Sequence, residues 1–161
     1  MTSKSEKFDQ EELKEFLMRA NMPHATGQAK TKSEDDGSRT IEYKEGDYRM
    51  HDNFFGGEPY GGRLVIFFKN KPVFMEVYYG QTSRPADEVY DFLREALQHP
   101  AKDNPYRGPA EYTKGKFTYK SSTEGDITKH TVKEFIYDGD DEIYWAVVIG
   151  GLVDQKASGA M

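Results

Sequence analysis

Residues 61–80, GGRLVIFFKNKPVFMEVYYG, constrain this chain more than any other stretch. Two apolar runs rich in Val, Ile, Phe and Tyr flank Lys69-Asn70-Lys71-Pro72, the pattern of two strands joined by a short turn. Both runs are apolar at odd and at even positions, so a hairpin made from them should be covered on both faces. A helix accounts for one cover. The other face is where a function should be sought.

Composition narrows the choices. Only 36% of the 161 residues are hydrophobic, yet 14% are aromatic, with eleven Tyr and ten Phe. A small core of large rings follows, because each ring buries a large area. A net charge of −6, a pI near 5.3 and no basic stripe argue against a nucleic-acid partner. There is no Cys, which excludes disulfides and thiolate chemistry. The opening MTSKSEKFDQEEL has no apolar signal core, and no apolar run reaches membrane-spanning length. A soluble cytoplasmic protein with no membrane partner is expected, its oligomeric state open.

Along the chain, Asp9 and Glu12 form a capping-box pair, with Phe8 and Leu13 as a hydrophobic staple. Leu13, Phe16, Leu17 and Ala20 recur at helical spacing, and Pro23 is expected to end that helix. Residues 24–40 read as a mobile loop, and 41–43 and 48–50 as strands about a Gly46 turn. Residues 53–62 (NFFGGEPYGG) read as a tight loop rather than a backbone cradle for a ligand. A second helix opens near Pro85 and stops at Pro100, with Val89, Phe92, Leu93, Ala96 and Leu97 as its stripe. After a Pro/Gly loop, strands are expected at 110–112, 117–120, 127–137 and 143–152.

The chain also matches itself. Residues 11–17 (EELKEFL) align with 87–93 (DEVYDFL), Gly46 with Gly115, Tyr48 with Phe117, and 73–80 with 143–150. The expected fold is therefore α+β, a single domain over 1–161. A helix-plus-antiparallel-meander unit is duplicated as pseudo-repeats 8–80 and 84–152, with flexible tails at 1–7 and 154–161. The two units would form one curved antiparallel sheet or open barrel with both helices on one side.

A two-residue turn at Asn70-Lys71 puts Leu64, Ile66, Phe68, Val73, Met75 and Val77 on the helix side, with Phe135, Tyr137, Ile143, Trp145 and Val147 from the second unit. Lys133 is the misfit on that face. The opposite face carries Arg63, Val65, Phe67, Phe74, Glu76 and Tyr78, then Val132, Glu134, Ile136, Tyr144, Ala146 and Val148. Carboxylates among rings need a partner, and Arg63 stands diagonal to Glu76. The expected site is an aromatic groove there, with Arg63, Phe67, Phe74, Glu76, Tyr78, Glu134 and Tyr144 binding a small hydrophobic or cationic ligand through ring stacking, a carboxylate and cation–π attraction. Two alternatives stand beside it: a protein-interaction or dimerisation module, and a small isomerase or hydrolase with Glu76 as general base. His24, His51, His99 and His130 fit no zinc or facial-triad spacing, so no metal and no cofactor is expected. The acidic run 138–142 reads as a solvated turn.

The pattern Tyr48-Arg49, Asp52, Phe55-Gly56-Gly57, Tyr60, then Pro72-Val73, Met75 and Tyr78-Tyr79-Gly80 resembles the bacterial and archaeal family called domain of unknown function 5680. Arg107-Gly108-Pro109, Glu124-Gly125-Asp126, Tyr144 and Gly150-Gly151-Leu152 extend the resemblance, which spans roughly residues 40–153. The family brings no established activity. Relatives placed behind helix-turn-helix domains imply ligand sensing. The duplicated unit is also similar to the effector-binding domains of multidrug-responsive regulators, which hold hydrophobic cations between two halves, although there a strand precedes each helix.

Overall fold

Asp9 starts the first helix, α1 (Gln10–Ala25): its Oδ1 accepts the Glu11 and Glu12 N–H groups at 2.8 and 3.1 Å. Pro23 lies inside the last turn instead of ending it. The Thr26 hydroxyl closes that turn on the Met22 carbonyl at 3.1 Å. This computed structural model describes residues 7–101 and 104–156. Most of the expected tails therefore lie outside the described residues.

Five strands follow α1: β1 (Lys32–Ser33), β2 (Arg39–Glu45), β3 (Tyr48–Phe55), β4 (Tyr60–Phe68) and β5 (Lys71–Thr82). Then come α2 (Ala86–Ala96), β6 (Glu111–Lys114), β7 (Phe117–Asp126), β8 (Lys129–Asp138) and β9 (Asp141–Leu152). The nine strands among the described residues join one sheet in the order β1-β2-β3-β4-β5-β9-β8-β7-β6, and every neighbouring pair is antiparallel. The sheet ends at β1 and β6, so it is open and not closed into a barrel. The α+β class holds. The segment expected as a loop over 24–40 carries the end of α1 and the short strand β1, and the tight loop over 53–62 shrinks to 56–59 between β3 and β4.

Both helices cover one face. Leu13, Phe16, Leu17 and Ala20 of α1 pack with Met50, Leu64, Ile66, Phe74, Val132 and Val148. Val89, Phe92, Leu93 and Ala96 of α2 pack with Tyr119, Ile136, Tyr144 and Ala146. This corrects the expected face assignment. Leu64 and Ile66 do face the helices, but on β5 they are joined by Phe74, Glu76 and Tyr78, while Val77 and Tyr79 are exposed. On β8 and β9 the covered residues are Val132, Glu134, Ile136, Tyr144, Ala146 and Val148, the set assigned to the opposite face. Lys133, the misfit, is exposed on the uncovered side.

The cause on β5 is one extra residue. The turn is Lys69-Asn70, both left-handed at φ 48° and 66°, closed by the Phe68–Lys71 pair. The register then slips between Ile66 and Phe67, so that Phe67 pairs with Pro72 but Ile66 with Phe74. Val73 is the bulged residue, and it inverts the face of everything after it on β5. A second slip falls between Ile136 and Tyr137, at Ile143 on β9.

Deleting Val73 would bring the Phe67–Pro72 and Ile66–Phe74 pairs together in a regular ladder and leave Phe74, Glu76 and Tyr78 facing the helices. We expect this deletion to keep a cooperative thermal transition and the near-ultraviolet dichroism of the aromatic core, at a cost of roughly 1.5 to 3 kcal/mol for the lost buried side chain. Loss of both signals would show that Val73 does more than take up the extra residue.

Candidate functional site

A cavity of about 530 Å³ lies between the helices and the sheet. Its floor follows from how rows of side chains cross the strands. One row runs Ile41–Asp52–Leu64–Glu76–Gly150–His130. The next runs Phe54–Gly62–Tyr78–Val148–Val132, and a third Tyr60–Gly80–Ala146–Glu134. In each row a glycine sits beside large or charged residues: Gly150 between Glu76 and His130, Gly62 between Phe54 and Tyr78, and Gly80 beside Tyr60. A Cβ on Gly62 would stand 2.7 Å from the Tyr78 hydroxyl, and one on Gly80 2.6 Å from the Tyr60 ring. These glycines give the tyrosines room to lie across the sheet.

Gly150 does the same for Glu76. Glu76 and His130 sit on either side of it, and Glu76 Oε1 meets His130 Nε2 at 3.0 Å above the glycine. A Cβ on Gly150 would be 2.7 Å from Glu76 Cγ. His130 is sandwiched between Tyr106 and Phe74, with ring centroids 4.2 and 5.7 Å away. Its Nδ1 lies 3.0 Å from the Asp126 carbonyl, which can only accept, so Nδ1 carries the hydrogen and Nε2 turns to Glu76. Glu76 lines the cavity, and its second oxygen has no hydrogen-bond partner among the described residues.

Asp52 is the second carboxylate on the cavity wall. The Tyr78 hydroxyl donates to its Oδ1 at 2.5 Å. Burial pushes the Asp52 pKa up from 3.8 to about 6, and the Glu76 charge adds to the rise; the Tyr78 hydrogen bond and Arg107 oppose it. Strand spacing sets Asp52 and Glu76 about 10 Å apart at the backbone, with Leu64 between them.

The third carboxylate, Glu134, is fully satisfied. Arg107 donates Nε at 3.1 and 3.2 Å and Nη2 at 3.1 Å, Tyr119 donates at 2.6 Å, and Tyr144 donates at 2.8 Å. The Tyr144 hydroxyl also bonds that of Tyr60, linking the cluster to the cavity wall. Burial opposes the charge of Arg107, but the Glu134 carboxylate outweighs it and holds the guanidinium firmly protonated. Burial first, and the Glu134 charge next, keep the Tyr119 and Tyr144 hydroxyls protonated as well.

Of the residues expected from sequence, Glu76 and Tyr78 reach the cavity wall, while Glu134 and Tyr144 lie in the hydrogen-bonded cluster beside it. Phe74 is in the core against His130. Arg63 and Phe67 are on the uncovered face, where Arg49 sits 4.2 Å above the Phe67 ring. The expected Arg63–Glu76 pair does not form; Glu76 pairs with His130. Sequence reasoning missed Asp52, Tyr60, Tyr106, Arg107 and His130. Gly80 and Gly150 were the available signal for two of these, Tyr60 and His130. Arg107 and Tyr106 come from an aperiodic loop that offers none.

An open antiparallel sheet with two helices on one face and a tyrosine-walled, two-carboxylate cavity between them defines the class of this protein. The chain belongs to the domain of unknown function family DUF5680, whose model matches residues 52–153. No curated protein and no solved structure matches it.

Two outcomes follow from the carboxylates. Glu134→Ala strands Arg107 without a counter-charge, so equilibrium denaturation should show a loss of roughly 3 to 5 kcal/mol; under 1 kcal/mol would contradict the role given to the pair. Asp52 is raised in the folded state, so the native protein holds its proton better than the unfolded chain between 3.8 and about 6. Stability should fall as pH rises through that window. Asp52→Asn should remove the fall and gain on the order of 2 kcal/mol at neutral pH, allowing for water in the cavity. A wild-type slope unchanged in the variant would refute this.

Proposed function

We propose that this protein binds a small, partly apolar, cationic molecule in the cavity between the helix pair and the sheet. One observation carries the reading: Asp52 and Glu76 face the same tyrosine-walled space, and each has a carboxylate oxygen with no protein partner among the described residues. A desolvated carboxylate gains from a cation, and rings beside it add cation–π attraction. Tyr60, Tyr78 and Tyr106 supply those rings. Glu134 and Tyr144 support the wall through Tyr60; Phe74 acts only by holding His130; Arg63 and Phe67 take no part. The internal repeat belongs to the same reading. A helix before each meander, a glycine in the turn between β2 and β3 and in that between β6 and β7 (Gly46 and Gly115), and a bulge between the last two strands of each support it.

The test is a calorimetric titration with 4-phenylbutylamine and its neutral counterpart 4-phenylbutanol. The amine should bind more tightly, and Glu76→Gln should weaken the amine more than the alcohol. The cation prefers ionised Asp52, so amine affinity should rise about tenfold between about pH 5 and about pH 7. Asp52→Asn should flatten that rise. Equal effects of Glu76→Gln on both probes would sink the charge role.

A second reading, an interaction or dimerisation module, is favoured by the uncovered sheet face. Val77, Tyr79 and Ile149 are 54%, 46% and 57% exposed there, on the paired strands β5 and β9. Apolar surface in the middle of a sheet is a candidate for contact with a second copy. Sedimentation equilibrium from about 1 to about 100 µM should then show a rise in mass that Val77→Lys abolishes; a constant monomer mass removes self-association.

A further inference from the structure

The mouth of the cavity has the opposite charge to its floor. Arg39 of β2 and Arg94 of α2 both line it, beside His24 near the end of α1. The Arg39 guanidinium donates to the Gly56 carbonyl at 3.2 Å and lies 5.0 Å above the Phe54 ring, with no carboxylate partner among the described residues. Arg94 holds Asp91 of its own helix at 2.5 Å, an exposed pair that exchanges at little cost. The other acid at this end, Glu58, is already engaged by the Thr82 N–H at 2.9 Å and by the Tyr90 hydroxyl. Two guanidinium groups from separate elements thus reach one opening, and one of them has no acid partner among the described residues. The pKa of the partly exposed His24 reflects that field: it is lowered first by enclosure and then by Arg107, Arg94 and Arg39.

We propose that the ligand is dipolar, with its cationic group between Asp52 and Glu76 and an oxyanion bridging Arg39 and Arg94 at the mouth. The inference rests on the reading of the cavity as a binding site. The register makes the two poles compatible with one small molecule. Arg39 pairs with Phe54 and Ile41 with Asp52, so the rows holding the two charges are two residues, about 7 Å, apart along the strands. An acid and an amine about 10 Å apart on a mostly apolar body span the distance, and a planar guanidinium suits a carboxylate or phosphate end. An aryl carboxylate with a primary amine on a short alkyl chain has these features.

The experiment compares 4-phenylbutylamine with 4-(4-aminobutyl)benzoate by calorimetric titration, and reads the ratio of the two affinities. In the wild-type protein the benzoate should bind at least about tenfold tighter. The ratio should shrink in Arg39→Gln and in Arg94→Gln and approach one in the double variant. A wild-type ratio near or below one overturns the dipolar ligand but leaves the cationic site standing. A ratio that survives in the double variant overturns the assignment to these arginines. If neither probe binds the wild-type protein, the binding site itself fails and the dipolar ligand with it.

Discussion

Three carboxylates lie under two helices, and the cost of taking them out of water shapes most of what surrounds them. Glu134 is the extreme case, with no exposed surface. Its price is met by Arg107, Tyr119 and Tyr144, which between them occupy both oxygens. Arg107 comes from the stretch between α2 and β6, so the ion pair fastens that stretch against the sheet. Gly108, next in sequence, is where a side chain would collide with the Tyr119 ring at 2.9 Å or less. Glu76 solves the same problem with an imidazole held between two rings. Asp52 solves it only in part, with one tyrosine hydroxyl and a raised pKa.

Secondary structure was legible because its signals are local. The cap at Asp9, the stripe from Val89 to Leu97 and the glycine turns at 46 and 115 need no knowledge of the rest of the chain. The expected duplication rests on the same kind of signal. Which face meets the helices was not legible. On β4 and β5 both parities are apolar, and a bulge at Val73 leaves no mark in composition, since Val suits any strand position. Lys133 was the informative residue: a lysine among Phe135, Trp145 and Val147 marks an uncovered face, and treating it as a misfit inverted the assignment.

The site followed the face. All seven expected residues were picked as charges and rings on one sheet face, and Glu76, Tyr78, Glu134 and Tyr144 do share a face, the covered one. These four converge on the cavity or its hydrogen-bonded wall. Arg63 and Phe67 were picked by sharing a parity with Glu76 across the hairpin, and the bulge breaks that parity. Asp52 and His130 were beyond reach for another reason. Their contacts depend on strands far apart in sequence, β3 with β5 and β5 with β8 through β9, and on Gly150 leaving a gap. Pairings of that kind are set by sheet order, which no local pattern encodes.

The contrast among the three acids supports the proposal that the cavity holds a ligand. A chain able to give Glu134 five donated hydrogen bonds could have closed the space at Asp52 and Glu76 with the same residue types. Instead it keeps two acids with an oxygen each to spare, lines the gap with tyrosines, and sets small residues beneath them. Apolar filling would be more stable than half-satisfied carboxylates. Structures retain such local costs where a partner supplies the missing contacts, and the proposed cation would supply a positive charge here. Arg39, with no carboxylate partner among the described residues, extends that proposal with the opposite sign.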